Sequence, residues 1–220
     1  RPPRSTLFPY TTLFRSSFYV PHDMKRLIEK TGGRDVFTKR LDTYFRESFP
    51  GKRDELLFYT KMVGLCQISN EPCFLVPSLY AYVGQPYKTA KVVRGILASQ
   101  YTSARDGVPG NDDSGSMGAW YAFHALGFYP NAGQNVYLIS SPMFDKVTLN
   151  FEDGKKLVVT AKNASAKNIY VQSCALNGKP LDRCWLRHEE LVFGGTLEFV
   201  MGARPSSWAT SGELPPSMSD

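Results

Sequence analysis

The sequence has 220 residues, of which 42% are hydrophobic and 13% aromatic, and its formal net charge is +6. This composition is typical of a globular chain with one large or two small domains, and it excludes collagen-like, low-complexity and coiled-coil proteins. No run reaches the roughly 18 apolar residues of a membrane span, and no cluster of Lys and Arg indicates a nucleic-acid partner.

The first sixteen residues do not read as natural protein. Residues 6–16 resemble the translation of a sequencing-adapter oligonucleotide, and residues 1–16 carry three arginines and no acidic residue. We interpret residues 1–16 as a non-native segment that is neither a signal peptide nor part of the fold. Without these arginines the formal net charge falls to +3, which further weakens the case for nucleic acid. The natural chain is then expected to be truncated before Ser17.

Residues 17–135 carry apolar residues at helical spacing, separated by glycine and proline. The predicted helices cover residues 23–30, 34–49, 74–83, 86–101 and 114–126. Successive helices of this kind form antiparallel hairpins. The sequence therefore predicts part of an α/α barrel or toroid across this domain.

Beyond residue 135 the apolar period changes from helical to two, which is typical of strands. The predicted strands cover residues 136–139, 146–151, 156–160, 169–174 and 196–201. Turn residues such as Asn177-Gly178 separate them. The predicted fold class is thus mainly α and then β, with an antiparallel β module over residues 136–205. Residues 206–220 are rich in Ser and Pro and are predicted to form a flexible tail.

The four cysteines do not form a metal-binding or disulfide-scaffold pattern. Cys66, Cys73, Cys174 and Cys184 contain no CxxC pair and lack the spaced histidines of a zinc site. Most such thiols are buried. The alternative to four buried thiols is that Cys174 and Cys184 face each other across a hairpin at Asn177-Gly178.

Two acidic loops are the candidate chemical sites. One spans residues 69–72, and the other spans residues 109–115 and places Asp112 and Asp113 at a predicted helix N-terminus. Capping by Asp113 or Ser114 and a favourable helix-dipole charge on Asp112 explain one acid. They explain the pair less well, because neighbouring carboxylates repel each other unless they share a proton, bind a cation or polarise a water.

The first loop adds oxygen donors to this pair. Asn70 and Glu71, together with Asp112 or Asp113, form an all-oxygen set that suits Ca²⁺ rather than zinc or copper. The alternative is that Glu71-Pro72 is a simple turn, since proline holds the residue before it in an extended conformation.

The motifs of the chain resemble a known family. They are Val20-Pro21-His22-Asp23, Asn70-Glu71-Pro72, Gly84-Gln85-Pro86, residues 109–115, Met117 with Ala119-Trp120-Tyr121, residues 125–130, residues 141–147 and residues 194–197. In order and approximate spacing they are similar to the C-terminal half of glycoside hydrolase family 92, the calcium-dependent exo-acting α-mannosidases. The resemblance covers residues 17–205, and the block from Gly107 to Pro130 is its most specific part.

The resemblance implies an N-terminal β-sandwich domain followed by an (α/α)₆ barrel, with Ca²⁺ at the base of the cleft between them. It also implies an inverting α-mannosidase that removes terminal mannose from N-glycans or mannan in the periplasm or outside the cell. An inverting hydrolase needs an acid on one face of the glycosidic bond and a base holding a water on the other. The expected partner is therefore an α-mannoside.

Family roles carry over to particular residues. Asp112 and Asp113 are expected on the base side, and Asn70, Glu71 and Asp112 at the metal. His22, Asp23 and Glu71 are expected to contact the sugar, although Asp23 is also a candidate cap for the next helix. The flanks of the Asn-Glu-Pro motif, Ile68-Ser69 and residues 73–75, depart from the family pattern. The general acid of the family belongs near Tyr10, inside the adapter-like segment, so the acid and the sandwich domain are expected to be missing from this chain.

Other candidates have simpler explanations. His124 is expected to be a core histidine and His188 a surface one. Trp120 and Tyr121 are candidates for a sugar-stacking platform, but aromatics at helical spacing are more often core. Residues 163–165 match a glycosylation sequon that is too short to carry weight.

Three functions therefore compete. The leading hypothesis is a truncated α-mannosidase that is itself inactive. The second is a non-catalytic glycan- or calcium-binding module that uses the same loops, and the third is a helical scaffold whose acids are only caps.

Overall fold

The computed structural model describes residues 17–48, 68, 71–110 and 112–220. The adapter-like segment 1–16 and Asn70 lie outside these residues. The helices are α1 Met24–Thr31, α2 Arg34–Ser48, α3 Pro86–Gln100, α4 Ser116–Leu126 and the short α5 Glu189–Val192, with 3₁₀ helices at Glu71–Cys73 and Val76–Val83. Among the described residues, no helix is long and apolar enough to cross a membrane.

Local signals set most of the helix ends. The Asp23 carboxylate accepts a hydrogen bond from the N–H of Arg26, which caps α1, and Gly32 ends the helix in the left-handed region at φ 107°. Pro86 starts α3 as predicted. The predicted helix over residues 74–83 is a 3₁₀ helix over Val76–Val83 in which every residue is buried. Its apolar sequence predicted the burial but not the tighter turn.

The strands form two sheets. They are β1 Phe128–Pro130, β2 Val136–Ile139, β3 Lys146–Asn150, β4 Lys156–Lys162, β5 Tyr170–Leu176, β6 Lys179–Pro180, β7 Trp185–Arg187 and β8 Gly195–Gly202. The first sheet has the order β1-β2-β7 and the second β3-β4-β8-β5-β6. Helices and sheets together make the chain a mixed α and β structure.

The prediction of an antiparallel β module is wrong in one pairing. β4 and β8 run parallel, with Leu157 opposite Gly195, so the five-stranded sheet is mixed. A parallel pair needs a crossover connection of a dozen or more residues, and residues 163–194 provide it. Strand direction follows from this connection and not from the apolar alternation that identified the strands.

The predicted hairpin turn at Asn177-Gly178 is confirmed. Both residues have positive φ, 51° and 74°, and Leu176 pairs with Lys179 across the turn. Two left-handed residues in succession give the turn that joins twisted antiparallel strands, and Asn-Gly is the preferred pair for it. Cys174 and Cys184 are not linked; both are free and buried.

The three-stranded sheet separates two hydrophobic cores. Val136 and Leu138 of β2 belong to the helical core, whereas Ile139 belongs to the core of the five-stranded sheet. In β7, Trp185 faces the first core and Leu186 the second. Alternate residues of a strand point to opposite faces, so one short sheet closes both cores.

Residues 206–220 make more contacts than the predicted flexible tail would. The Trp208 indole donates to the Leu181 carbonyl at 2.7 Å, and Ala209 is buried. Further along, the N–H of Met218 donates to the carbonyl of His22, and the Lys25 ammonium pairs with Asp220 at 2.9 Å. The partners of the last two contacts, His22 and Lys25, are almost 200 residues away in the chain. The local sequence of the tail therefore could not predict them.

Candidate functional site

The acidic loop before α4 adopts a strained backbone. Asp113, Ser114 and Gly115 follow one another with positive φ of 43°, 62° and 87°. Asp and Ser pay a steric cost in the left-handed region that glycine does not. Strain of this kind persists only where the surrounding structure fixes it, and it concentrates at functional sites.

Asp112 is the residue that fixes this loop to the helix. Its carboxylate accepts a hydrogen bond from the N–H of Gly118 at 3.1 Å, and its carbonyl accepts from the Ser116 N–H and hydroxyl. The expectation that Asp113 or Ser114 caps the helix is wrong, because the N-cap position is Gly115 and α4 begins at Ser116. The left-handed run turns the chain back, so that Asp112 satisfies the first helical donors instead.

Replacing Ser114 with glycine tests this strain directly. Ser114→Gly is expected to raise the free energy of unfolding by about 0.5–1 kcal/mol, because relief of the left-handed conformation exceeds the added backbone entropy of glycine. Urea denaturation measures the change. The matched variant Ser114→Ala keeps the strain and should give no gain. An equal gain from alanine would show that the backbone conformation is not the cause.

Buried aromatic contacts anchor the first turns of α4. The Trp120 indole donates to the Phe74 carbonyl at 3.0 Å, and its ring stacks on Tyr101 at 5.7 Å. The Tyr101 hydroxyl donates to the Met117 carbonyl at 3.2 Å. Trp120 is completely buried, so it is a core residue and not a sugar-stacking platform. Tyr121 is partly buried against Tyr101.

The hydrogen bond from the Trp120 indole to the Phe74 carbonyl also connects α4 to the segment that follows Glu71, in the other acidic loop. Phe74 lies three residues beyond Glu71, which opens the first 3₁₀ helix and has an exposed side chain. Asn70 lies outside the described residues, so the predicted closeness of the two loops stays a prediction. Within residues 17–48, 68, 71–110 and 112–220, no three His, Cys, Asp or Glu side chains are grouped closely enough to hold a metal ion.

The His22-Asp23 turn lies where α1 meets the C-terminal tail. The Asp23 carboxylate accepts from the N–H of Arg26 at 3.2 Å and from the Ser219 hydroxyl at 2.7 Å. The Ser219 hydrogen bond is the main cause that lowers the pKa of Asp23. The role of Asp23 as a helix cap is therefore confirmed, while the His22 side chain is exposed to solvent.

A cleft of about 610 Å³ opens beside this turn. Its walls are α1, the start of α2 and the tail, and they include Lys25, Glu29, Arg34, Glu213 and Asp220. Charges of both signs line it, and two of them, Lys25 and Asp220, pair with each other.

His124 is a core histidine, as expected. Its ring stacks on Tyr129 at 4.7 Å, and its Nδ1 lies 3.2 Å from the Ser140 hydroxyl. Its Nε2 has no hydrogen-bond partner among the described residues. Burial disfavours the imidazolium form and lowers the pKa of His124 to about 3.

This buried imidazole predicts acid sensitivity. The unfolded chain protonates His124 near its ordinary pKa of 6.5, whereas the folded chain does so only near 3. Between these values the unfolded state binds the extra proton, so the free energy of unfolding falls by up to about 1.4 kcal/mol per pH unit as the pH drops. Urea denaturation from pH 8 to pH 4 measures the slope. His124→Gln should flatten it, and the matched surface variant His188→Gln should not.

His188 is on the surface, as expected, in a polar network. Its Nδ1 lies 2.9 Å from the Tyr137 hydroxyl, and the two rings stack. Its N–H donates to the Asn135 Oδ1 at 2.9 Å. These contacts lie at β2 and just before α5, and they involve none of the predicted site residues.

Asn131 was missed by the sequence analysis. Its Nδ2 donates to the Pro21 carbonyl and to the Tyr82 hydroxyl, both at 2.9 Å, and its side chain is 1% exposed. Asn131 follows the Tyr129-Pro130 motif, but its partners lie 110 and 49 residues away. No local pattern signals contacts at such separations.

Comparisons with known proteins agree on one family. Residues 6–203 match the sequence profile of the glycosyl hydrolase family 92 catalytic domain. An uncharacterized secreted glycosidase of Arthroderma benhamiae is 40% identical over 210 residues, which cover 94% of this chain and 25% of that protein. The chain thus spans about a quarter of the length of this relative.

Solved structures show the same likeness. A family 92 α-mannosidase of Bacteroides thetaiotaomicron superposes with a TM-score of 0.85 and 37% identity, over 93% of this chain and 27% of that one. Its complex with mannoimidazole has also been solved. A family 92 inverting mannosidase of the same organism gives a TM-score of 0.80 and 32% identity, over 94% and 30% of the two chains.

Proposed function

Because the chain belongs to glycosyl hydrolase family 92, we propose that it is part of an α-mannosidase that removes terminal mannose from N-glycans or mannan. The observation that carries this proposal is the loop at the start of α4. It holds two exposed carboxylates, Asp112 and Asp113, on a strained backbone that the buried Trp120 and the Gly118 N–H keep in place. Asp112 caps the helix through the Gly118 N–H, whereas the strained Asp113 has no capping bond among the described residues, which supports a chemical role for the pair.

The loop suits the base side of an inverting reaction. In that reaction one carboxylate accepts a proton from a water that attacks the anomeric carbon, while an acid on the opposite face protonates the departing oxygen. One oxygen of Asp112 is occupied by the Gly118 N–H, whereas no hydrogen bond is found for the Asp113 side chain among the described residues. Both aspartates are proposed on the base side.

Calcium is proposed to bind Asn70, Glu71 and Asp112. The donor chemistry fits, because all three offer oxygen atoms and the Glu71 and Asp112 carboxylates are exposed. When bound, the ion would hold mannose hydroxyls and favour ring distortion. The indole bond between Trp120 and Phe74 supports the nearness of the two loops that this set requires.

His22, Asp23 and Glu71 are proposed to contact the sugar. Asp23 caps α1, so its carboxylate stabilises the helix with or without a bound substrate. His22 presents an exposed imidazole, which suits hydrogen bonding to sugar hydroxyls. We further propose that the described helices belong to an (α/α)₆ barrel that follows a β-sandwich in the parent protein, and that the parent acts outside the cell or in the periplasm. The superposition on family structures and the secreted relative support these proposals.

The product anomer tests the proposed reaction. The parent protein with its natural upstream sequence should release β-mannose first from an α-mannoside, as proton NMR of the fresh product shows. Initial release of α-mannose would contradict inversion. Chelation by EGTA should abolish turnover and added Ca²⁺ should restore it.

Asparagine variants separate the two aspartates. Asp112→Asn keeps an oxygen for the Gly118 N–H, so a fall in kcat with an unchanged melting temperature identifies a chemical role. Asp113→Asn is its matched partner. The general base should lose on the order of 10²- to 10⁴-fold in kcat. If neither variant loses activity, the loop is only a helix cap.

A binding module that uses the same loops is the competing function. In that case the restored parent binds mannosides or Ca²⁺ without turnover. A thermal-shift titration of the 220-residue chain with Ca²⁺ distinguishes a binding site from a plain scaffold, since a ligand at 100 times its Kd adds about 2.7 kcal/mol to native stability.

A further inference from the structure

The peptide that joins Pro21 to His22 is held by hydrogen bonds on both sides. The Pro21 carbonyl accepts from Nδ2 of Asn131 at 2.9 Å and from Nε2 of Gln134 at 2.5 Å. The His22 carbonyl accepts from the N–H of Met218 at 2.9 Å. Two consecutive carbonyls therefore have fixed directions, and the backbone of His22 has little freedom to rotate between them.

Asn131 is itself fixed from several directions. Its second Nδ2 proton goes to the Tyr82 hydroxyl at 2.9 Å, its N–H donates to the Val136 carbonyl, and its own carbonyl accepts from the Gln134 N–H. Burial is the main cause that raises the pKa of Tyr82, so this phenol stays protonated and neutral. Both donor protons of this buried amide are used, while its Oδ1 has no hydrogen-bond partner among the described residues. The amide acts as a clamp through its donors, because breaking either bond leaves a further unpaired polar group.

The clamp is not required to build α1. Asp23 already caps this helix, and Met24 and Ile28 bury its apolar face. The clamp instead fixes the backbone that carries the His22 imidazole, and His22 is exposed to solvent. A side chain that must meet a ligand in one geometry benefits from such preorganisation, because less freedom is lost on binding.

We infer that Asn131 is a positioning residue, which fixes the Pro21–His22 peptide so that the His22 imidazole meets a hydroxyl of the bound mannoside. This inference rests on the proposed function, in which His22 contacts the sugar. Asn131 acts only through the backbone of His22.

The three histidines of the chain provide the test. In proton NMR of the 220-residue chain, Asn131→Ala is expected to shift the His22 ring resonances and to leave those of His188 unchanged. Asn135→Ala is the matched control, because Asn135 lies in the same loop and accepts from the His188 N–H. It should shift His188 and leave His22 unchanged. Coincident His22 resonances in folded Asn131→Ala and the original chain would overturn the inference.

Gln134→Ala keeps the test decisive if Asn131→Ala does not fold. This variant removes the second donor to the Pro21 carbonyl. Because Gln134 is only partly buried, its truncation leaves no buried cavity. It should shift His22 in the same direction as Asn131→Ala but by less. An unmoved His22 in this variant contradicts the clamp.

Mannoimidazole in the presence of Ca²⁺ probes the substrate role. Asn131→Ala should bind it roughly tenfold more weakly, because binding must then also restrict the freed backbone of His22, and Asn135→Ala should bind it as the original chain does. If Asn131→Ala moves His22 but keeps the affinity, the substrate role is overturned. If the original chain does not bind mannoimidazole, the proposed sugar contacts of this chain fail, while the histidine spectra still decide whether Asn131 places His22.

Discussion

The 220-residue chain alone is expected to hydrolyse an aryl α-mannoside at least about 10²-fold more slowly than its parent with the natural upstream sequence. Departure of the leaving oxygen needs a proton, and we propose that the general acid of the parent occupies the place of the residues near Tyr10. Residues 1–16 contain no Asp or Glu to provide it. Asp112 and Asp113 can still polarise a water, but a water alone does not assist the departing group. Release of the aryl alcohol, measured with and without Ca²⁺, checks this expectation.

Residues 17–220 without the adapter-like segment are the control for this assay. They should be as inactive as the full chain, because the removed residues supply no acid. Calcium-dependent turnover within about tenfold of the parent would place the acid among the retained residues instead. Glu71 would then be the first candidate, and Glu71→Gln would test it.

Trp120→Ala is expected to cost about 3–5 kcal/mol of unfolding free energy, the largest effect of a single truncation near the site. The variant empties a completely buried position, removes the stack on Tyr101 and leaves the Phe74 carbonyl without its donor. Urea denaturation measures the loss. Trp120→Phe keeps most of the ring volume, so its loss of about 1–3 kcal/mol isolates the unpaired carbonyl.

Phe193→Ala is the matched aromatic truncation on the surface. Phe193 is 68% exposed, so this variant should change stability by no more than about 0.5 kcal/mol. A loss below about 1 kcal/mol for Trp120→Ala would mean that α4 is not anchored as described. The Asp112–Gly115 loop would then have no rigid support.

Features that depend on neighbouring residues were predictable from the sequence. The N-cap of α1 at Asp23, its C-cap at Gly32 and the turn at Asn177-Gly178 each depend on a capping side chain or on left-handed residues within a few positions. The position of Asp112 and Asp113 just before α4 was also predictable, because they directly precede the helical pattern. Membership of family 92 was predictable because its motifs are short and contiguous.

Features that depend on distant residues were not predictable in the same way. The start of α4 was misplaced because capping by Asp112 requires three left-handed residues in a row, an arrangement that local propensity disfavours. The parallel direction of β8 depends on how residues 163–194 cross the sheet. The nearness of Asn70 and Glu71 to Asp112 and Asp113 depends on helix packing in the same way, and it stays a prediction.

The contacts between the His22 turn and the tail affect when the protein can finish folding. Lys25 and Asp220 are 195 residues apart in the chain, so the ribosome makes one of them long before the other. At about 5–20 residues per second, the turn waits roughly 10 to 40 s for its partners. Until residue 220 has been made these contacts are missing, and α1 is held by its core residues Met24 and Ile28.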